Sequence, residues 1–204
     1  MAAKRKGYMT LAVHHAQLKA EGKWGEYVAR RNALDEEHRR AEDADARAEA
    51  PVVEDLRKAG VPVKSVWDLV NSVNTYAQSL PLLLDHLQRS YPDAIREGIA
   101  RAMAVPAARF AWPVLVRLYG QEQEQRAKAG LALALSNIVD DETLDELIGL
   151  AQDGRHGESR VLLLSALERS RHPDARKMLM ALGGDPQLHK AVQTILRRLK
   201  RAKK

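Results

Sequence analysis

The sequence predicts an all-α chain: a charged helical arm over residues 1–49, then an α-solenoid of about five stacked helix pairs over 50–204. Three observations carry this reading. Like residues recur at a constant spacing of 32, as in Leu83, Leu115, Leu147 and Leu179. Within each period the apolar residues fall at helical intervals, for example Ile95, Ile99, Ala102 and Met103. Finally, aromatic residues make up only 4% of a chain rich in Ala and Leu, and small and aliphatic side chains are what closely packed helices use.

The arm has a dense mixture of both charge signs in EYVARRNALDEEHRRAEDADARAEA and almost no large apolar residue after Val28. Opposite charges three and four apart, such as Glu37 with Arg40 and Asp43 with Arg47, support an exposed helix. Trp24, Tyr27 and Leu34 are its candidate anchors, and the first eight residues are expected to be disordered.

The paired-helix region opens at residue 50. A first helix is expected over 50–60 (APVVEDLRKAG) and a second over 63–73. Later first helices fall near 80–90, 112–122, 142–153 and 174–182, and second helices near 93–105, 124–138, 158–169 and 187–200. Punctuation agrees: Ser79 before Leu80-Pro81 reads as a helix start, as do His172-Pro173 and Asp185-Pro186, while Gly183-Gly184 reads as a stop. Ala102, Ala134 and Ala166 share the period, as do Met103, Leu135 and Leu167, and fixed-period self-similarity is the mark of a stacked repeat array.

Composition excludes several classes. With no cysteine there is no disulfide, thiolate metal site or cysteine nucleophile, a usage that fits a reducing, cytoplasmic location. No apolar run approaches the roughly 20 residues of a membrane span. The net charge of +6 is unevenly placed: residues 1–50 carry +1, 51–185 carry −2, and 186–204 carry +7 with no acid at all.

The 32-residue pairs, with Pro in the first helix and a basic residue opening the second, resemble HEAT repeats of the bacterial PBS-lyase-like kind. VWDLVNSV, REGIARAMAVPAARFAWPVLVRLY, LDELIGLAQD and RHGESRVLLLSALERS carry the resemblance, which spans about 150 residues and implies a fold more than a function. It also implies that Lys64, Arg96, Lys128 and Arg160, again 32 apart, form a structural ladder at the openings of the second helices. The other reading of that row is a basic stripe for an acidic partner.

Second helices usually line the inner curve of such an array. Their outward rows here, Glu97/Ala129/Val161, Ala100/Ala132/Leu164 and Arg101/Leu133/Ser165, are largely small or apolar. Glu97, Arg101, Leu133, Val161, Leu164 and Ser165 are therefore the candidate contacts to a protein partner, and the expected function is a non-enzymatic binding scaffold, such as an adaptor, inhibitor or immunity-type protein. The alternative is nucleic-acid binding through Lys190, Arg197, Arg198, Lys200 and Arg201, with Lys4 to Lys6 as further contacts. A third reading follows from the resemblance, since some HEAT-like solenoids are DNA glycosylases for alkylated bases. Trp67 beside Asp68, and Trp112, invite it, but the inner positions lack the cations such an enzyme needs. The seven histidines have no metal-binding spacing, no catalytic constellation is present, and no cofactor or small-molecule substrate is expected.

Overall fold

A computed structural model describes residues 9–70, 72, 76–172 and 174–201, and every regular element among them is helical. The chain divides into two compact units, Met1–Ala44 and Asp45–Lys204. The expectations for the first eight residues, for Lys4 to Lys6 and for Pro173 lie outside the described residues.

The first unit contains α1 (Leu11–Ala20) and the beginning of α2 (Trp24–Lys58). Thr10 caps α1 by accepting from the Val13 N–H. The two helices meet through an aromatic cluster: Trp24 and Tyr27 stack at 5.6 Å, and the His15 ring lies 4.9 Å from Trp24 and 5.5 Å from Tyr27. Farther along, Arg39 and Arg40 pair with Glu36, which is the three-and-four spacing expected of an exposed charged helix.

The new helix expected at residue 50 does not begin there. α2 runs through Pro51 for 35 residues, and Glu49, assigned to the arm, is already buried within the second unit. A proline inside a helix removes one backbone hydrogen bond. Here Val52, Val53 and Leu56 bury the following turn. Gly60, at φ +83°, ends α2 in a conformation that costs a glycine little. The second helix expected over 63–73 is represented among the described residues only by α3 (Trp67–Val70). Pro62 cannot donate a backbone bond, and Asp68 accepts the N–H groups of Lys64 and Ser65 in a turn that delays the start.

Beyond α3 the elements follow the predicted alternation: α4 (Leu80–Leu87), α5 (Asp93–Ala102), α6 (Trp112–Gln121), α7 (Gln125–Ile138), α8 (Leu144–Gln152), α9 (Arg160–Arg169), α10 (Ala175–Leu182) and α11 (His189–Arg201). Short 3-10 segments at Ala77–Ser79, Pro106–Ala111 and Gly154–Ser159 precede α4, α6 and α9. Ser79 ends the first of them and makes no side-chain cap bond.

α5, α7, α9 and α11 each pack on the even-numbered helix before them, and α3, α5, α7, α9 and α11 pack on one another in chain order. The α5–α7 contact is the most extensive of these. The period-32 residues belong to the core of the second unit: Leu83, Leu115, Leu147 and Leu179 are fully buried, as are Met103 and Leu135. Two glycines in the same register permit this proximity. A Cβ on Gly98 would lie 2.6 Å from Val66 Cγ2, and one on Gly130 would lie 2.9 Å from the Glu97 carbonyl oxygen.

Candidate interaction groove

Leu69, Arg101, Leu133 and Ser165 hold the same register position in successive second helices. Packing brings the first three to one place. Leu69 and Val70 at the end of α3, Val105 after α5 and Leu133 on α7 wall a groove of about 400 Å³, together with the polar residues Ser72, Arg101 and Asn137. Tyr76 braces the wall by donating its hydroxyl to the Ala102 carbonyl at 2.9 Å, a bond that also occupies the exposed C-terminal end of α5. Burial pushes the Tyr76 phenol above its usual range.

Arg101 is half-buried, and its Nε donates to Glu97 Oε1 at 2.8 Å. The other oxygen of Glu97 accepts from Arg126 Nε at 2.8 Å. One carboxylate thus serves two guanidinium groups. Asn137 also lines a smaller polar cleft with Ser136, Asp140 and Arg169 in its walls. There Arg169 holds the Ser136 carbonyl at 2.8 Å and the Asn137 side-chain oxygen at 3.0 Å.

Not every predicted contact residue reaches a free surface. Leu164 is fully buried, and with Ala100 and Ala132 it forms a row inside the helix-to-helix contact. Small side chains in α5 and α7 let the helices approach until that row is covered. Glu97 is likewise buried by its two arginine partners. Val161 is half-buried against the core. Ser165 bonds the Ser136 hydroxyl at 2.6 Å and the Leu162 carbonyl at 2.9 Å. Only Arg101 and Leu133 of the predicted set line the groove. Val70, Tyr76, Val105 and Asn137 were missed, although Val105 and Asn137 are themselves 32 apart, and that spacing was a usable signal.

The basic row makes contacts between and within helix pairs. Arg96 pairs with Glu122 at the end of α6. Lys128 donates to the Glu122 carbonyl at 3.0 Å and sits 5.4 Å over the Tyr119 ring, whose phenol is pushed up to about 12 by burial. Arg160 is fully buried and donates to Asp185 Oδ2 at 2.6 Å, to Gln187 at 2.6 Å and to the Ala151 carbonyl at 3.2 Å. Lys64 is exposed. A cleft of about 410 Å³ adjoins Lys128, Arg155 and His156. Its guanidinium is already committed, because Arg155 forks onto Asp153 and holds that carboxyl far below the usual carboxylate range. Burial, helped by Lys128, lowers the His156 imidazole below its ordinary value.

Lys190, Arg197, Arg198, Lys200 and Arg201 are all exposed on α11, whose Val192 and Ile195 face inward. Arg198 approaches Glu168 at 3.6 Å. The aromatic residues that suggested a base-binding cleft are placed otherwise. Trp67 packs on Gly98, Trp112 Nε1 donates to Glu146 at 2.6 Å, and Asp68 closes its own turn. Among the described residues no three His, Asp or Glu side chains gather as metal ligands, and no single helix is long and apolar enough to cross a membrane.

No protein-family model matches the chain, and neither the curated proteins nor the solved structures compared with it include a match.

Proposed function

We propose that the second unit is a HEAT-like α-solenoid and that the chain is a non-enzymatic scaffold whose groove holds part of a protein partner. The observation that carries this reading is the groove itself, an apolar recess formed by equivalent positions of three consecutive repeats. Its walls are Leu69, Val70, Val105 and Leu133, which offer buried apolar area at about 25 cal/mol per Å² and no hydrogen bonds to a phosphate backbone. Most buried polar side chains described elsewhere in the unit, such as Arg160, Glu49 and Glu122, are engaged in ion pairs and caps. That distribution favours binding over catalysis.

The test is affinity capture from a nuclease-treated extract of the native host, followed by the same capture with Leu133→Glu. We expect a stoichiometric protein partner that is lost in the variant, while circular dichroism and the melting temperature show the variant folded. Recovery of nucleic acid alone in the untreated extract would sink the proposal.

One observation favours a second reading, namely the exposed cations of α11 in a segment without an acid. If α11 holds nucleic acid, affinity falls steeply with salt and disappears on deletion of residues 197–204. Unchanged binding after that deletion excludes it.

A further inference from the structure

We infer that the cleft beside Tyr119 is a binding site for a small organic anion, whose charged group sits against the Lys128 ammonium and the His156 imidazole. This goes beyond the scaffold reading, since it needs neither the groove nor a protein partner.

The cleft has a volume of about 550 Å³, within the range of small-molecule sites, and lies among α6, α7, α8 and the 3-10 segment Gly154–Ser159. Tyr119 of α6 is fully buried beside it and gathers the polar groups. The His156 ring lies 4.5 Å from the Tyr119 ring, and the Lys128 ammonium lies 5.4 Å from its centroid. The backbone of His156 is held on both sides. Its N–H donates to the Asp153 carbonyl at 3.1 Å, and its carbonyl accepts from Ser159 Oγ at 2.7 Å. Gly157 then turns the chain at φ +59°, a conformation that costs a glycine little. The imidazole, by contrast, makes no hydrogen bond among the described residues. His156 is only 8% exposed, its Nδ1 is buried without a partner, and its Nε2 stands 3.7 Å from Asp153, beyond hydrogen-bond reach. Buried polar groups in folded proteins are nearly always bonded. This ring lines the cleft, so the partner that its surroundings withhold can come from a ligand.

Charge selects an anion. Arg117, Lys128 and Arg155 line the cleft, and among the described residues Asp153 is the one acid that does. Arg155 forks onto Asp153 through Nε and Nη2, so that pair cancels and two positive charges remain. Neighbouring acids do not remove them. Glu122 is taken by Arg96 and by the Gln123 and Glu124 N–H groups, Asp185 is taken by Arg160, and the exposed Glu124 lines neither this cleft nor the one of about 410 Å³. Glu158 lines only that smaller cleft, and counting it still leaves the two together positive. Lys128 uses one of its three N–H groups on the neutral Glu122 carbonyl, which leaves two for a ligand. Burial, then Lys128 and more weakly Arg155 and Arg160, hold the imidazole below its ordinary value against the pull of Asp153. An anion reverses that balance. Its binding therefore favours a proton on His156, and affinity rises as the pH falls. Val116, Gly120 and Leu150 give the rest of the ligand an apolar wall.

The experiment titrates the full chain with sulfate, acetate and chloride at constant ionic strength and reads the His156 imidazole nitrogens by NMR, with His156→Gln giving the assignment. Sulfate and acetate stand for phosphate and carboxylate groups, and each keeps a fixed charge between about pH 6 and pH 8. We expect one of these oxyanions to shift the His156 signals saturably, and the tighter of the two identifies the anionic group of the ligand. Lys128→Gln should weaken binding roughly tenfold, the equivalent of about 1.4 kcal/mol, while Lys128→Arg retains it. Arg117→Gln, at an exposed position, should weaken binding in the same direction and serves where Lys128→Gln does not fold. By calorimetry, affinity should rise from about pH 8 to about pH 6 in wild type and stay flat in His156→Gln. The inference is overturned if neither oxyanion moves the His156 signals, or if chloride moves them equally, which would mean screening alone. It is also overturned if folded Lys128→Gln and Arg117→Gln bind as wild type does. Loss of binding on deletion of residues 197–204 would place the anion on α11 and overturn it as well.

Discussion

A glycine within a helix ordinarily weakens it, and replacement by alanine gains about 0.5–1 kcal/mol. At Gly130 the sign reverses, because the added methyl carbon would stand 2.9 Å from the backbone oxygen of Glu97 on the neighbouring helix. Backbone cannot rotate away as a side chain can, so α5 and α7 must part. Gly130→Ala is expected to destabilise the protein by about 1–3 kcal/mol, as overpacking does. Gly149, inside α8 with nothing within 4 Å of its would-be Cβ, provides the control, and Gly149→Ala is expected to stabilise. Urea denaturation of the two variants measures both signs, and equal stabilisation would contradict the close-contact account. Arg160 makes the same point with charge. It is buried against Asp185, Gln187 and two backbone carbonyls. Arg160→Met leaves those acceptors without their donor, and we expect a loss on the order of 3 kcal/mol in the same assay.

At the scale of elements, the short helix α3 depends on a residue far from it in sequence. Glu49 of α2 accepts the Val66 N–H at 2.6 Å and the Ser65 hydroxyl at 2.9 Å, so its buried carboxylate caps the start of a helix of only four residues. Helix starts leave N–H groups unpaired, and negative charge there is favourable. Glu49→Ala is expected to cost about 1–3 kcal/mol by orphaning the Val66 donor, with Glu49→Gln costing less because it keeps an acceptor. Amide hydrogen exchange at Val66 to Val70 should rise first. A uniform rise across α5 and α7 instead would mean that the carboxylate supports the whole unit and not this cap.

For the whole molecule, pH reads out the buried histidines. Burial lowers His86 below its ordinary 6.5, with Arg89 adding to the shift and the hydrogen bond to Asp55 opposing it. Burial and Lys128 lower His156 in the same direction. The unfolded chain therefore takes up protons that the folded chain refuses once the pH drops below about 6.5. Stability is fully present above that value and declines as the pH falls through the lowered folded values. The urea midpoint should accordingly decrease between pH 7 and pH 5.5, and a His86→Gln, His156→Gln double variant should show a flatter profile. An unchanged slope would show that other groups govern it. The acids held low, such as Asp185 beside Arg160, act in a separate window below about pH 4, where their stabilisation is lost as they protonate.

The 32-residue spacing was enough to identify the buried leucines of α4, α6, α8 and α10 and the boundaries of most helices, because burial on one face imposes a periodicity that a sequence cannot hide. It also indicated the row containing Arg101 and Leu133. It did not decide which of two adjacent rows, the one with Leu133 or the one with Leu164, stays open to solvent. Which of them meets solvent depends on how closely the neighbouring helix approaches, and Ala100 and Ala132 set that distance only once packed. Val70, Tyr76 and Asn137 joined the groove for the same reason, since residues from different repeats become neighbours through stacking and not through spacing along one helix. The sequence by itself determined the all-helical class, the period and the cationic end. Tertiary structure alone decided where the apolar surface stays open and that Arg101 and Arg126 share one carboxylate, because such contacts belong to the packed arrangement and not to any single helix.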